Sequence, residues 1–132
     1  MYLTKLYLTR NSHRVGRVRS ATHHIQTIAR IDVRIVRACL VLTESLTGDY
    51  RRDFHVNHLL GMCQVRPVTE PTARNAARLR TATGRASEIS ATDAIVVAFA
   101  LDYPEAVVLT SDPGDLGDLV DTQPTPVVIS AV

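Results

Sequence analysis

Residues 91–110 place the tightest constraint on what this chain can fold into. Ala94-Ile95-Val96-Val97-Ala98-Phe99-Ala100 has no polar side chain on any face, so a helix over Ala91–Leu101 must be buried on most sides. Ala106-Val107-Val108-Leu109-Thr110 follows after a short break, an apolar run of strand length without polar alternation. Such a strand is covered on both faces, the condition met in parallel sheets. A wrapped helix beside a doubly covered strand predicts an α/β fold with layers around a mainly parallel sheet.

The flanking segments continue the alternation. Tyr2 to Leu8 alternates loosely and reads as a strand or the start of a helix, and Asn11 or Ser12 caps a basic helix reaching about Ala29. Val33 to Arg37 is a β-branched stretch leading into a helical segment, Leu40 to Leu46, that Gly48 ends. Tyr50 to Leu60 reads as a helix and Cys63 to Val68 as a strand. Thr69-Glu70-Pro71 opens an Ala- and Arg-rich helix over Thr72 to Ala82, with Gly84 as its C-cap. Pro113 to Val120 reads as a short helix and Pro126 to Ile129 as a last strand. No repeat or low-complexity tract divides the chain, so residues 1–132 read as one domain.

Composition narrows the function. With 45% hydrophobic and 21% charged residues and a mean hydropathy of +0.04, the 132 residues can bury an ordinary core. Disordered, collagenous and coiled-coil classes are excluded on that basis. No apolar run approaches the roughly 18 residues of a membrane span, and no secretory signal opens the sequence. Cys39 and Cys63 lie in apolar runs without zinc or disulfide spacing, which predicts a reduced, cytoplasmic setting. Lys5 is the only lysine beside 14 arginines and has no glycine-rich context, so a phosphate-binding P-loop is absent. Dinucleotide-binding, nucleophile-elbow and His-Glu-x-x-His zinc signatures are absent as well. Charge is split along the chain: residues 1–66 balance to +7 and residues 67–132 to −5. An arginine-rich half suits a polyanion, and an acidic half beside it suits a cation site.

Several acids stand where packing does not ask for them. Asp93 heads the apolar helix; Ser90 three residues earlier makes a cap an equally good reason for it. Asp112 and Asp115 follow the buried strand, where Asp112 reads either as an N-cap before Pro113 or as a carboxylate pointing into a crevice at the strand end. Glu44 sits in the apolar turn Leu42-Thr43-Glu44-Ser45-Leu46, and Glu88 precedes Ile89. Converging carboxylates can share Mg²⁺ or Mn²⁺, which polarise a phosphodiester and activate water. His23-His24, His55 and His58 read as surface histidines, and Tyr50-Arg51-Arg52 as a solvated pair of arginines with RNA contact as the alternative.

The block Glu88-Ile89-Ser90-Ala91-Thr92-Asp93-Ala94-Ile95-Val96-Val97-Ala98, followed by Val107-Val108-Leu109-Thr110-Ser111-Asp112-Pro113-Gly114-Asp115-Leu116, resembles the PIN domain. Within that family it is similar to the VapC-type toxin ribonucleases of prokaryotic toxin–antitoxin pairs. Leu42-Thr43-Glu44-Ser45-Leu46 is similar to the family's shorter glutamate segment, and the order matches over roughly residues 10–130. The resemblance implies a three-layer α/β/α sandwich with a mainly parallel central sheet. It implies metal-dependent endonucleolytic cleavage of RNA, often tRNA or rRNA, by a metal-activated water, with Mg²⁺ as cofactor and Mn²⁺ as its substitute. By match, Glu44, Asp93 and Asp112 are the catalytic acids, Asp93 and Asp112 nearest the metal and Glu44 acting through water. Asp115 and Glu88 are accessories, and Thr110 or Ser111 orients a carboxylate. A cognate antitoxin protein and a homodimer are the implied partners.

In one respect the sequence departs from that pattern. Family members open with a strand whose aspartate supplies the first carboxylate, and here no acid precedes Asp32. Counted back from Arg10-Asn11-Ser12-His13-Arg14, that aspartate falls at or before Met1, which implies a truncated first strand. Two readings follow: a toxin endoribonuclease, or a catalytically impaired relic of the fold that binds RNA or an antitoxin. A phospho-accepting receiver domain needs an early acidic pair and a late lysine, and this sequence has neither.

Overall fold

The structure is a computed structural model that describes residues 5–8, 34–103, 106–125 and 127–131. The basic helix expected up to Ala29, with its caps Asn11 and Ser12, lies outside the described residues, as do His23 and His24. Strands β1 (Lys5–Leu8), β2 (Arg34–Ala38), β3 (Gln64–Arg66), β4 (Ala106–Thr110) and β5 (Val128–Ala131) form one sheet in the order β3-β2-β1-β4-β5. The described helices are α1 (Leu42–Ser45), α2 (Phe54–Leu60), α3 (Glu70–Ala82), α4 (Ala91–Leu101) and α5 (Gly114–Asp121). The chain is therefore mixed α/β. None of the described helices is long and apolar enough to cross a membrane.

The expectation of a mainly parallel sheet needs correction at its centre. β2 and β3 pair in parallel, as do β4 and β5, but β1 runs antiparallel to both β2 and β4. Leu6 stands opposite Val36 on one side and Val108 on the other. A four-residue strand of loose alternation carries no directional information of its own. Either direction satisfies the backbone groups of its neighbours, and antiparallel ladders are slightly the more stable per residue.

Residues 91–110 fulfil the constraint they impose. In α4, Ala94, Val96, Val97, Ala98, Phe99 and Ala100 are buried, and all five residues of β4 are buried. Successive side chains of a strand point to opposite faces. Ala106 and Val108 accordingly join the large core with α4, while Val107 and Leu109 pack on the other face against Leu59 and Cys63. Helix α3 presents Thr72, Ala76 and Leu79 to that core at helical spacing, and α5 adds Leu116 and Leu119. A fully buried leucine contributes about 1.5–3 kcal/mol relative to exposure, so these few side chains weigh heavily in a marginally stable domain.

Local signals set the ends of the elements. Thr69 caps α3 by accepting the Thr72 N–H, with Pro71 in the first turn, and Gly84 follows the helix at a φ of +70°. The helix expected over Tyr50–Leu60 starts only at Phe54, because residues 50–53 form a separate turn. There Asp49 accepts the N–H groups of Arg51 and Arg52, and the Asp53 N–H donates to the Asp49 carbonyl. The segment expected as a helix over Leu40–Leu46 divides into a tight turn at Cys39–Val41 and the short α1.

Candidate acidic site

β2 and β4 run in the same direction, so their C-terminal ends meet the same edge of the sheet. Asp112 follows β4 there, and Glu44 follows β2 through the tight turn and α1. Asp93 lies in the first turn of α4 and feels the charges of both. Sequence order, strand direction and one helix start thus bring three separated acids to one edge, where ligands bind in open α/β sheets.

Asp93 is half-buried and held from both ends by Ser90. The Ser90 hydroxyl accepts the Asp93 N–H at 3.0 Å and donates to Asp93 Oδ2 at 2.7 Å. The cap expected from the sequence is present, and the carboxylate has a fixed orientation because of it. The pKa of Asp93 is raised, chiefly because burial penalises its charge; the Ser90 hydrogen bond opposes this, and the negative charges of Glu44, Asp115 and Asp112 reinforce it. Asp93 thus both engages the Ser90 cap and stands among the acids of this edge.

Asp112 does not have two roles. The N-cap position of α5 is Pro113, without a side-chain cap hydrogen bond, so the capping alternative for Asp112 is not realised. Its carboxylate is exposed and has no hydrogen bond among the described residues. Thr110 instead fixes its backbone: the buried hydroxyl accepts the Asp112 N–H at 3.0 Å and donates to the Asp112 carbonyl at 3.2 Å. Of the two hydroxyls expected to orient a carboxylate, Thr110 orients the main chain, and Ser111 is exposed without a hydrogen bond among the described residues. The hydroxyl that orients the Asp93 carboxylate is that of Ser90.

The accessories divide. Asp115 is one of the charges acting on Asp93, and it also pairs with Arg85 Nη2 at 3.3 Å. Glu88 is exposed, pairs with Arg85 Nε at 2.8 Å and is not among the charges acting on Asp93. Arg85 binds Asp118 as well, and its contacts with these acids hold its pKa above the ordinary value. Sequence reading missed Arg85 and Asp118. An arginine that begins a loop between two helices has no local signature when its partner lies 33 residues away.

Asp53 was also missed. It is buried, and its carboxylate accepts the N–H groups of Thr47 and Gly48, each at 2.9 Å, together with the Thr47 hydroxyl at 2.9 Å. The Thr47 N–H leads in lowering its pKa, against the penalty of burial. This clamp closes the loop that leaves α1, immediately after Glu44. The nearby Ser45 hydroxyl is buried without a hydrogen-bond partner among the described residues.

The donor set is four carboxylates, the hard oxygen ligands that Mg²⁺ and Mn²⁺ prefer. Among the described residues no three His, Cys, Asp or Glu side chains converge closely enough to share one ion. Mg²⁺ requires less, since it commonly takes one or two carboxylates and keeps several waters. In donor chemistry alone, these carboxylates are of the kind a water-rich Mg²⁺ site uses. Comparison with known protein families, with curated proteins and with solved structures gives no match for this chain.

Proposed function

We propose that this chain is a metal-dependent endoribonuclease of the toxin type, built on a PIN-like three-layer sandwich. The observation that carries the reading is that Asp112 follows β4 and Glu44 follows β2 at one edge of the sheet, with Glu44, Asp112 and Asp115 as lesser contributors to the raised pKa of a half-buried Asp93. Carboxylates that repel one another this way call for a cation, and their placement at the C-terminal strand edge suits a substrate groove. Asp93 and Asp112 would hold Mg²⁺ or Mn²⁺, and Glu44 would reach it through water. When bound, the ion polarises the scissile phosphodiester and lowers the pKa of a water for attack. Ser90 fixes the orientation of the Asp93 carboxylate, and Thr110 sets the backbone that carries Asp112. RNA, tRNA or rRNA above all, is the substrate in this reading, with a cognate antitoxin covering the groove, a homodimer as the assembly and the cytoplasm as the setting.

A test is incubation with total RNA and Mg²⁺, with EDTA as control and Asp93→Asn and Asp112→Asn beside the wild type. EDTA-sensitive cleavage lost in both variants supports the proposal; RNA left intact by the wild type overturns it. The second reading, a binding relic of the fold, draws on the engagement of Asp115 by Arg85 and on the lack of a third convergent ligand among the described residues. RNA retention that is indifferent to Mg²⁺, without cleavage, is its signature.

A further inference from the structure

The segment Asp49-Tyr50-Arg51-Arg52-Asp53-Phe54-His55 separates its charges by direction. Both acids turn to the backbone. Asp49 accepts the N–H of Arg51 at 2.9 Å and that of Arg52 at 3.3 Å, and buried Asp53 accepts from Thr47 and Gly48. Tyr50, Arg51, Arg52, Phe54 and His55 are all exposed. Tyr50 retains 73% of its accessible surface and Phe54 53%, high values for aromatic rings in a chain with only six of them. The Phe54 and His55 rings meet edge to face at 5.5 Å. Both carboxylates are thus engaged by backbone N–H groups, neither forms an ion pair with Arg51 or Arg52 among the described residues, and most of the exposed side chains of the segment are cationic or aromatic.

We infer that this turn is a docking surface for single-stranded RNA, with Tyr50 and Phe54 stacking on unpaired bases and Arg51 and Arg52 contacting phosphates. Guanidinium groups complement the phosphate charge, and exposed aromatic rings fit bases that are not paired. A duplex hides its base faces, so the surface selects loops and single strands. The turn is held by hydrogen bonds at both ends, so little ordering is left to be done on binding. In the chain it follows the loop that leaves α1, the helix that carries Glu44. The choice of RNA rests on the ribonuclease proposal, but the docking itself requires neither metal nor cleavage.

The experiment is fluorescence anisotropy of a labelled oligouridylate in EDTA, over a range of salt concentrations. Wild type is expected to bind with an affinity that falls as salt rises. Arg51→Gln with Arg52→Gln is expected to flatten the log–log salt dependence by about 1.4, from roughly 0.7 for each lost phosphate contact. Tyr50→Ala and Phe54→Ala are each expected to weaken binding about 5-fold or more, and Tyr50→Phe to retain it. All these side chains are exposed, and an unchanged melting temperature shows that each variant is folded. Absence of binding, a salt slope unchanged in the double variant, or equal affinity for a blunt RNA duplex overturns the inference and leaves the patch to a protein partner. Binding without any cleavage in Mg²⁺ upholds this surface while the nuclease proposal fails, so the two failures are distinguishable.

Discussion

Arg85 lies 3.3 Å from Asp115, so one of the acids acting on Asp93 comes with its own counter-charge. A divalent ion bound at this edge competes with that arginine for the same carboxylate. Arg85→Gln is expected to tighten Mn²⁺ binding about 5-fold, the order of magnitude of one unit charge removed at short range in water. Titration calorimetry with Mn²⁺ on wild type and variant measures it. Weaker binding in the variant would mean that Arg85 serves the site by holding α5 in place, and would refute the competition.

Asp93 gives a pH dependence of unusual sign. Its pKa in the fold is raised by burial and by its neighbouring acids, so folding favours its neutral form. The stability it contributes is complete below the ordinary carboxylate value of about 3.9 and is lost as pH rises through the raised value. At neutral pH the charged Asp93 is therefore a cost to the fold. Asp93→Asn is expected to match or exceed wild type in melting temperature at pH 7, where removal of a half-buried hydrogen-bonded acid ordinarily lowers it. Mg²⁺ is expected to raise the wild-type midpoint by a few degrees and to leave that of the variant unchanged. Thermal unfolding at pH 5 and pH 8, with and without Mg²⁺, provides the comparison.

Asp53 has the opposite sign. Its pKa is lowered, first by the Thr47 N–H, so its contribution is present above the ordinary carboxylate pKa and disappears as pH falls through the lowered value. Asp53→Asn is expected to lower the urea midpoint at pH 7, with the gap to wild type closing as the pH drops below about 3.9. A constant gap across that range would show that packing of the side chain, and not its charge, holds the loop.

In the core, Leu116 and Leu79 are each 1% exposed and line the cluster around α4 from two different helices. Replacement of either by alanine is expected to cost about 2–5 kcal/mol, the range for a buried leucine whose cavity closes only in part. Both substitutions leave the carboxylates untouched, so cation affinity per folded molecule should not change. Chemical denaturation followed by calorimetry on the folded fraction separates the two effects.

The sequence was most informative where apolar pattern and cap chemistry agreed. The runs 94–100 and 106–110 placed α4 and β4, and with them Asp93 and Asp112, because no other arrangement buries so much unbroken apolar surface. Ser90 and Thr69 marked helix starts because a hydroxyl before a helical run has one favourable role. Asp112 resisted such reading, since a cap and a crevice carboxylate demand the same residue in the same place. The direction of β1, the inward turn of Asp53 and the partners of Arg85 were not legible at all. Each is decided by groups distant in sequence or by the geometry of a loop, and periodicity contains neither.

The reversed central strand has a mechanical consequence. Among the described strands, β2–β3 and β4–β5 are two ribbons joined by the four residues of β1. When β1 is docked, each ribbon has its inner edge capped; when β1 lifts away, two raw edges lie side by side with their amides and carbonyls unpaired. Raw edges recruit strands, from the same molecule or from another. The keystone of the sheet is thus a strand of only four residues, and its release would expose two edges at once.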